Sequence, residues 1–243
     1  MYSFTIIATG YNCASYVKPC YDSILSQTNS DWKCVLVSDG STDNTADVLN
    51  KLSQQSKNFA ICIYQDNRGA AYRRYEAIKR FVNFKDDIVI LMGLDDMLLP
   101  NAVERIKEEY VKGKLMTYGC WKNQHGILCT VDIDFDEETH KNRSYRKVKW
   151  RSTAPLSFKR YLFDKIPEKD FQIKGEWLKS ATESELGFSL LEMCGKDRIG
   201  VIKEPIYIYN ERRKGGSLDR LGVKYKYNIY DQICARKPKD LYE

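Results

Sequence analysis

The stretch that decides the fold class is Ile88-Val89-Ile90-Leu91-Met92-Gly93-Leu94-Asp95-Asp96, an apolar strand that ends in two carboxylates. A short apolar run of this kind predicts a β-strand covered on both faces, which is typical of parallel sheets. Similar runs occur in the first half of the chain at Phe4–Thr9, Val35–Val37, Ala60–Tyr64 and Leu115–Tyr118. Helical patterns such as residues 70–84 separate them, and this alternation predicts an α/β fold with a mostly parallel sheet flanked by helices.

The second half of the chain has a different pattern. The alternation stops after Tyr118, and the remainder contains one clear helical stretch, Glu183–Met193, followed by two short strand-like runs, Ile199–Ile202 and Ile206–Tyr209. We therefore expect a regular α/β first half over residues 1–118 and a mixed second half, in which the segment from Arg212 onwards is rich in Lys, Arg and Tyr.

Charge and composition exclude several classes of protein. The net charge of +6 is unevenly distributed along the sequence. Residues 1–139 are acidic, with 15 Lys and Arg against 19 Asp and Glu, whereas residues 140–243 are basic, with 24 Lys and Arg against 14 Asp and Glu. No apolar run approaches the roughly 20 residues that span a bilayer, and the start lacks the basic region of a secretory signal. Eight scattered cysteines without a CxxC pair disfavour a zinc site and indicate reduced thiols. We therefore expect a cytoplasmic protein.

Polar loops follow the predicted strands at the edge where parallel sheets bind ligands. Asp95 and Asp96 follow the quoted strand, and their carboxylate oxygens suit Mg²⁺ or Mn²⁺ held together with a diphosphate. Asp39 ends the second strand and could accept a hydrogen bond from a base N–H or a ribose hydroxyl. Tyr11 offers a face for stacking on a nucleobase. Arg68 follows the third strand, where its guanidinium could pair with phosphate.

Each loop taken alone also has a structural explanation. The acid pair could be a solvated turn before the helix that starts at Pro100, and Asp39 with Ser41 could cap an ordinary strand-turn-helix connection. Tyr11 could sit in a plain turn, and Arg68 could be surface charge. The combination at four successive strand ends favours a nucleoside-diphosphate site.

These residues resemble a known family. In chain order they are Thr9-Gly10-Tyr11-Asn12, Ser26-Gln27-Thr28, Asp39-Gly40-Ser41-Thr42-Asp43, Asn67-Arg68-Gly69, Leu94-Asp95-Asp96 with Pro100, Glu183…Gly195, and Glu204-Pro205-Ile206-Tyr207-Ile208-Tyr209. They resemble the family 2 glycosyltransferases of the GT-A fold over residues 1–215. The short length is also similar to that of glycosyltransferases of large algal viruses, for which the host cytoplasm would be the location.

The resemblance implies an inverting, metal-dependent hexosyltransferase that uses a UDP-sugar, with UDP-glucose as the first expectation. Residues 1–215 would form a single domain, with residues 1–118 as the nucleotide-sugar and metal half and residues 119–215 as a smaller mixed half that binds the acceptor. Residues 216–243 would form a basic C-terminal tail. Tyr11 and Asp39 would hold the uracil with Thr9 beside them, and Arg68 would neighbour the base or phosphate. Asp96 would bind Mn²⁺ or Mg²⁺. Asp95 would contact the ribose or a metal-bound water, or would be a second ligand of the metal.

The resemblance also implies a carboxylate base, and here the chain departs from the family pattern. Ser184 stands where one alignment places the family's aspartate, so either Glu183 or Glu185 would serve, unless both are exposed first-turn acids favoured by the helix dipole. Glu176 and Trp177 are candidates for an acceptor subsite, or else a surface acid beside a core tryptophan. The family often has a further acid where this chain has Gly93, which leaves the direct metal ligand open.

A second departure concerns the residues after the terminal tyrosine strand. Many relatives carry a histidine there, whereas this chain has Arg212, Arg213 and Lys214, which could close over the diphosphate or form a solvated basic segment. His125 is a loop residue or an acceptor neighbour.

Two other functions remain alternatives. A nucleotidyltransferase would more often show a glycine-rich loop with Arg and Lys near the N-terminus, which residues 1–20 lack. A nucleic-acid-binding protein would use the basic half, where Lys224-Tyr225-Lys226-Tyr227 interleaves cations and rings, but the acidic first half argues against it.

The expected partners are a nucleotide-sugar donor and a glycan, glycoprotein or glycolipid acceptor, with no nucleic acid. The basic half could face the diphosphate, an anionic acceptor, or a membrane surface with weak association through the tail.

Overall fold

The predicted alternation of strands and helices forms the first half of the molecule. The computed structural model describes residues 2–128, 133–151, 154–211 and 221–242. Its first elements are β1 Phe4–Gly10, α1 Ala14–Leu25, β2 Trp32–Asp39, α2 Thr45–Leu52, β3 Phe59–Tyr64, α3 Ala70–Phe81, β4 Ile88–Gly93, β5 Met97–Leu98, α4 Ala102–Val111 and β6 Met116–Asn123. The predicted strands therefore all occur, and the helix predicted at 70–84 ends three residues early, before extended backbone at Val82.

The second half adds shorter elements and a long helix. They are α5 Glu137–Asn142, β7 Leu156–Lys159, α6 Arg160–Asp164, β8 Gln172–Ile173, β9 Glu176–Trp177, α7 Thr182–Cys194, β10 Ile199–Tyr209 and α8 Val223–Cys234. The two short strands predicted between residues 199 and 209 are one strand, β10. Its pairing with β6 is irregular on both sides of Pro205, where proline offers no N–H to the ladder.

One eight-stranded sheet contains all of these strands except β8 and β9, in the order β3-β2-β1-β4-β7-β6-β10-β5. Strands β3, β2, β1 and β4 run parallel to their neighbours, as do β6 and β10. Strand β7 is antiparallel to both β4 and β6, and joins the two parallel groups. Strands β8 and β9 form a separate two-stranded sheet. The fold class predicted from the sequence is confirmed.

Both faces of the sheet are buried, because successive strand side chains alternate between two cores. In β4, Ile90 and Met92 pack with α1, α2 and α4, whereas Val89 and Leu91 pack on the other face with α3 and α7. None of the helices in the described part of the chain has the length and apolar composition that crossing a bilayer requires.

The segment expected to be a basic tail contains α8 and contributes to the core. Ile229 and Ile233 of α8 are buried against the same core as α7. Near the end of the chain, the Tyr242 backbone N–H donates to the Met193 carbonyl, 2.9 Å away. Residues 221–242 are therefore packed against the domain and do not form a separate tail.

Candidate functional site

A cleft of about 1330 Å³ lies at the carboxyl ends of the parallel strands. The strand register creates it: Thr9 of β1 pairs with Gly93 of β4, and Gly10 pairs with Ser38 of β2. The loops after these strands therefore reach the same edge of the sheet. The cleft lining includes five of the predicted nucleotide and metal residues and one predicted base, namely Thr9, Tyr11, Asp39, Asp95, Asp96 and Glu183.

The acid pair is packed around the end of β4. Asp96 is buried, and its Oδ2 accepts a hydrogen bond of 2.6 Å from the Tyr207 hydroxyl while its Oδ1 accepts one of 2.8 Å from the Asn210 backbone N–H. A Cβ atom at Gly93 would lie 2.5 Å from Asp95 Oδ1 and 2.6 Å from Asp96 Oδ2. The space beside Gly93 is thus occupied by the two carboxylates, which explains why this chain has no side chain there.

The electrostatics of the pair suit a cation. Burial and the neighbouring charge of Asp95 raise the pKa of Asp96 to about 7. No group of three or more His, Cys, Asp or Glu side chains in the described part of the chain forms a metal site by itself. Two carboxylates are, however, the typical protein contribution to a Mg²⁺ or Mn²⁺ site whose other ligands are phosphate and water. The residues present therefore fit a divalent cation bound together with a diphosphate.

Asp39 organises the next loop of the cleft. Its Oδ1 accepts hydrogen bonds from the Arg68 backbone N–H at 2.9 Å and from Arg73 Nε at 2.8 Å, and its Oδ2 accepts one from the Gly69 N–H at 2.8 Å. Arg73 is buried with its guanidinium 3.6 Å from the centre of the Tyr64 ring. Asp39 thus fixes the loop after β3, and Oδ2 keeps acceptor capacity for a ligand N–H.

Arg68 meets surroundings different from those expected. Its guanidinium lies 3.4 Å from the centre of the Tyr72 ring, and the side chain does not line the cleft. Its contribution at the nucleotide edge is the backbone N–H that Asp39 accepts. Among the described residues, the cleft arginines are instead Arg74 and Arg146.

Glu183 lies in the cleft at the start of α7. Its Oε1 accepts a hydrogen bond of 2.6 Å from Arg74, a buried residue of α3 whose Nε also donates to Thr9 Oγ1 at 3.2 Å. The charge of Arg74 lowers the pKa of Glu183. The side chain is about half exposed, so an ionised carboxylate faces the space that a substrate would enter.

Glu185, the second candidate base, is withdrawn from the cleft. It is fully buried and forms ion pairs with Arg146 at 3.2 Å and Arg236 at 2.9 Å. Arg146 also binds Glu192 at 2.8 Å. This cluster joins α7 to the segment before Lys147 and to the end of the chain, so its role here is structural. Of the two acids proposed from the sequence, only Glu183 lies where a base could act.

The candidate acceptor residues lie apart from the cleft lining. Trp177 packs its ring 5.0 Å from Tyr72 and 5.2 Å from Tyr75, centre to centre, and Glu176 is exposed beside it on β9. Trp177 therefore packs in an aromatic cluster with Tyr72 and Tyr75 of α3. His125 is also absent from the lining. Arg212, Arg213 and Lys214 fall outside the described residues.

Several residues in or next to the cleft were not predicted from the sequence to have a role in this site. Arg73 and Arg74 organise Asp39 and Glu183, Tyr207 and Asn210 hold Asp96, and Lys226 on α8 reaches the same cleft. The only local signal was the Arg73-Arg74 pair in a helix that starts directly after Gly69. The contact of Arg73 with Asp39 joins residues 34 positions apart, and those of Arg74 with Glu183 and of Tyr207 and Asn210 with Asp96 join residues 109 to 114 positions apart. No spacing in the sequence indicates them.

Comparisons with known proteins agree with this geometry. The model of the family described as glycosyl transferase family 2 matches residues 5–175. Chondroitin synthase of Pasteurella multocida is 37% identical over 113 residues, which cover 46% of this chain and 11% of that protein. The chain spans about a third or less of the length of several curated relatives that it matches.

Solved structures share the fold. S. aureus TarS in complex with UDP-GlcNAc superimposes with a TM-score of 0.66 at 19% identity, covering 87% of this chain and 59% of that one. The mannosyltransferase PcManGT of Pyrobaculum calidifontis, in complex with GDP-Man and Mn²⁺, gives a TM-score of 0.62 at 15% identity and covers 98% and 65%. The architecture is therefore that of the GT-A fold.

Proposed function

The chain belongs to glycosyltransferase family 2, and on that premise we propose that it transfers a sugar from a nucleoside-diphosphate sugar to an acceptor hydroxyl with inversion at the anomeric carbon. The observation that carries the proposal is that one cleft contains the acid pair Asp95–Asp96 and the ionised carboxylate of Glu183. Transfer to a hydroxyl requires both a way to stabilise the departing diphosphate and a base for the acceptor proton.

The proposed donor is a UDP-sugar, with UDP-glucose as the first candidate. Tyr11 would stack on the uracil, and Asp39 Oδ2 would accept from its N–H. One structural neighbour binds UDP-GlcNAc and another binds GDP-Man with Mn²⁺. These ligands support the nucleotide-sugar class, and the acidic loop of this chain supports a divalent cation.

Asp95 and Asp96 would hold Mn²⁺ or Mg²⁺ against the donor diphosphate. The bound cation would stabilise the negative charge that develops on the departing nucleoside diphosphate. Tyr207 and the Asn210 N–H keep Asp96 in position for this task.

Glu183 would act as the general base. Its carboxylate accepts the proton of the acceptor hydroxyl as the acceptor oxygen bonds to the anomeric carbon, and the bond between that carbon and the diphosphate oxygen breaks on the opposite face. Arg74 keeps Glu183 ionised before this step and orients it through the hydrogen bond to Oε1. The products are the glycosylated acceptor, the nucleoside diphosphate and a proton.

The test measures donor use directly. The protein is incubated with UDP-glucose and Mn²⁺, and then with a panel of UDP-, GDP- and TDP-sugars, while nucleotide release and nucleotide binding are followed. We expect Mn²⁺-dependent binding of a UDP-sugar and slow release of UDP to water. Asp96→Asn should abolish the Mn²⁺-dependent part of binding. If no nucleotide sugar binds or is turned over, the proposal is wrong.

A further inference from the structure

Four exposed lysines line the part of the cleft that is built by the second half of the chain. We call Lys147, Lys149, Lys179 and Lys226 the lysine wall. They come from three separate segments: the stretch after the turn Tyr145–Lys147, the stretch before α7, and α8. Within the described ranges no ion pair joins any of them to another side chain. Asp231 is the acid that α8 contributes to the same lining.

The wall is held by buried contacts and is not a set of loose surface residues. Arg146, next to Lys147, is buried among Glu185 and Glu192, and it also donates to the Ile233 carbonyl of α8 at 2.9 Å. Trp150, beside Lys149, packs its ring 4.6 Å from that of Phe188 on α7. The backbone at Lys147 and Lys149 is therefore held against α7, on which Glu183 stands.

Charge divides the cleft into two parts. The nucleotide edge carries Asp39, Asp95 and Asp96, whereas the lysine wall is positive. Glu183 lies between the two, because Arg74 of α3 binds it and the charge of Lys226 also acts on it. A hydroxyl that reaches Glu183 enters the part of the cleft that the lysine wall also lines.

The volume leaves room for such an acceptor. Pockets for one small ligand typically enclose about 300–1,000 Å³, and this cleft encloses about 1330 Å³. Unpaired cations on a fixed surface bind phosphate or carboxylate groups and reject neutral chains that offer no charge partner.

We propose, on the basis of the proposed function, that the acceptor is an anionic saccharide chain whose carboxylate or phosphate groups bind the lysine wall while its hydroxyl meets Glu183. The wall then selects the acceptor, and the acid pair and Asp39 select the donor. Binding of such a chain is strongest at low ionic strength, because exposed ion pairs are screened by salt.

The experiment measures binding of labelled saccharides by fluorescence anisotropy, with the donor site saturated by UDP and Mn²⁺. The probes are an oligogalacturonate and a phosphorylated oligomannoside. Their uncharged matches are the methyl-esterified oligogalacturonate and the dephosphorylated oligomannoside. We expect at least one anionic probe to bind while its uncharged match does not, and binding to weaken as salt is raised.

Variants locate the binding site. The double variant Lys149→Gln with Lys226→Gln should lower the affinity for the anionic probe roughly tenfold, which is the order of magnitude expected from the loss of two exposed ion pairs. Lys51→Gln with Lys57→Gln removes the same charge from exposed residues outside the cleft and should leave binding unchanged. Thermal unfolding of each variant verifies that it is folded.

The remaining outcomes separate this inference from the proposed function. Equal binding of charged and uncharged probes, or equal weakening in both pairs of variants, overturns the anionic acceptor. If the wall variants weaken UDP and not the saccharide, the lysines serve the donor diphosphate and the inference is wrong. Tighter binding of a single-stranded oligonucleotide than of either saccharide also overturns it. Absence of UDP-sugar binding, measured without any probe, contradicts the proposed function alone.

Discussion

Glu183 and Glu185 stand two positions apart in the sequence, yet they have opposite surroundings. Glu183 is half exposed in the cleft and paired with Arg74, whereas Glu185 is fully buried between Arg146 and Arg236. On a helix, residues two positions apart point in different directions. The choice between the two candidate bases is therefore a matter of which helix face meets the cleft.

Replacing each acid separately tests their roles. Glu183→Gln should lower kcat by about 10²–10⁴-fold, because no carboxylate then accepts the proton of the substrate hydroxyl. The affinity for UDP-sugar should be retained. Glu185→Gln breaks a buried ion cluster and should lower the free energy of unfolding by about 3 kcal/mol. Steady-state kinetics, nucleotide binding and chemical denaturation measure these quantities. Full transfer by Glu183→Gln would exclude Glu183 as the base.

Arg74 should set the pH at which Glu183 loses its function as a base. Its charge lowers the pKa of Glu183, so this carboxylate remains ionised to a lower pH than a glutamate without a cationic partner. In Arg74→Met the pKa of Glu183 rises, and the acidic limb of the kcat/KM profile moves to higher pH. Arg74→Lys keeps the charge and should keep the limb near its original position. An unmoved limb in Arg74→Met contradicts the assignment.

The turn from β4 to β5 shows how an element combines predictable and unpredictable features. The apolar run predicts the strand from the sequence, and the acid pair marks the end that we propose binds a cation. The role of Gly93 follows only from the structure, because the atoms that occupy the space beside it belong to Asp95 and Asp96, and Tyr207 lies 111 positions from Asp96 in the chain.

Gly93→Ala should disturb that turn selectively. The added Cβ would lie within 2.6 Å of carboxylate oxygens of both aspartates, so the pair must move. We expect the Mn²⁺-dependent gain in UDP affinity to fall, while the affinity measured with a chelator stays the same. Titrations with and without Mn²⁺ separate the two contributions. An unchanged metal-dependent gain would show that the acid pair tolerates displacement or does not bind the cation.

Strand β10 and helix α7 illustrate the limits of local patterns. The helix predicted over Glu183–Met193 matches α7, which spans Thr182–Cys194, because its apolar residues and first-turn acids are local signals. The apparent break between residues 202 and 206 is an irregularity within β10, which pairs with β6 before and after Pro205 but with a shifted register. Proline signals an interruption of pairing, but only the neighbouring strand determines whether the strand resumes.

At the scale of the whole molecule, α8 closes the cleft and completes one core. Its buried residues pack against the core that contains α7, and Arg236 just beyond it binds Glu185. Lys226 and Tyr227 on the same helix line the cleft. Removal of this segment would therefore affect both stability and the substrate side of the site.

Two substitutions on α8 measure that contribution. Ile233→Ala removes a fully buried side chain and should lower the free energy of unfolding by about 2–4 kcal/mol. Val223→Ala on the same helix changes a side chain that is 57% exposed and should cost less than about 0.5 kcal/mol. Denaturant unfolding compares them. Equal small effects would indicate that α8 is not part of the cooperative domain.

The sequence by itself determined the parallel strands of the first half and the loops at the nucleotide edge, but not β5 or the antiparallel strand β7. Short apolar strands, the helices between them, and polar loops at successive strand ends are local patterns, and parallel crossover connections bring those loops together. The tertiary structure decided which acid faces the cleft and which arginines support it. It also decided where the lysines of the basic half lie relative to the cleft. These features depend on contacts such as Arg74 with Glu183, 109 positions apart, and on which face of a helix is buried. Such contacts arise from packing of the whole chain, so residue type and spacing alone do not contain them.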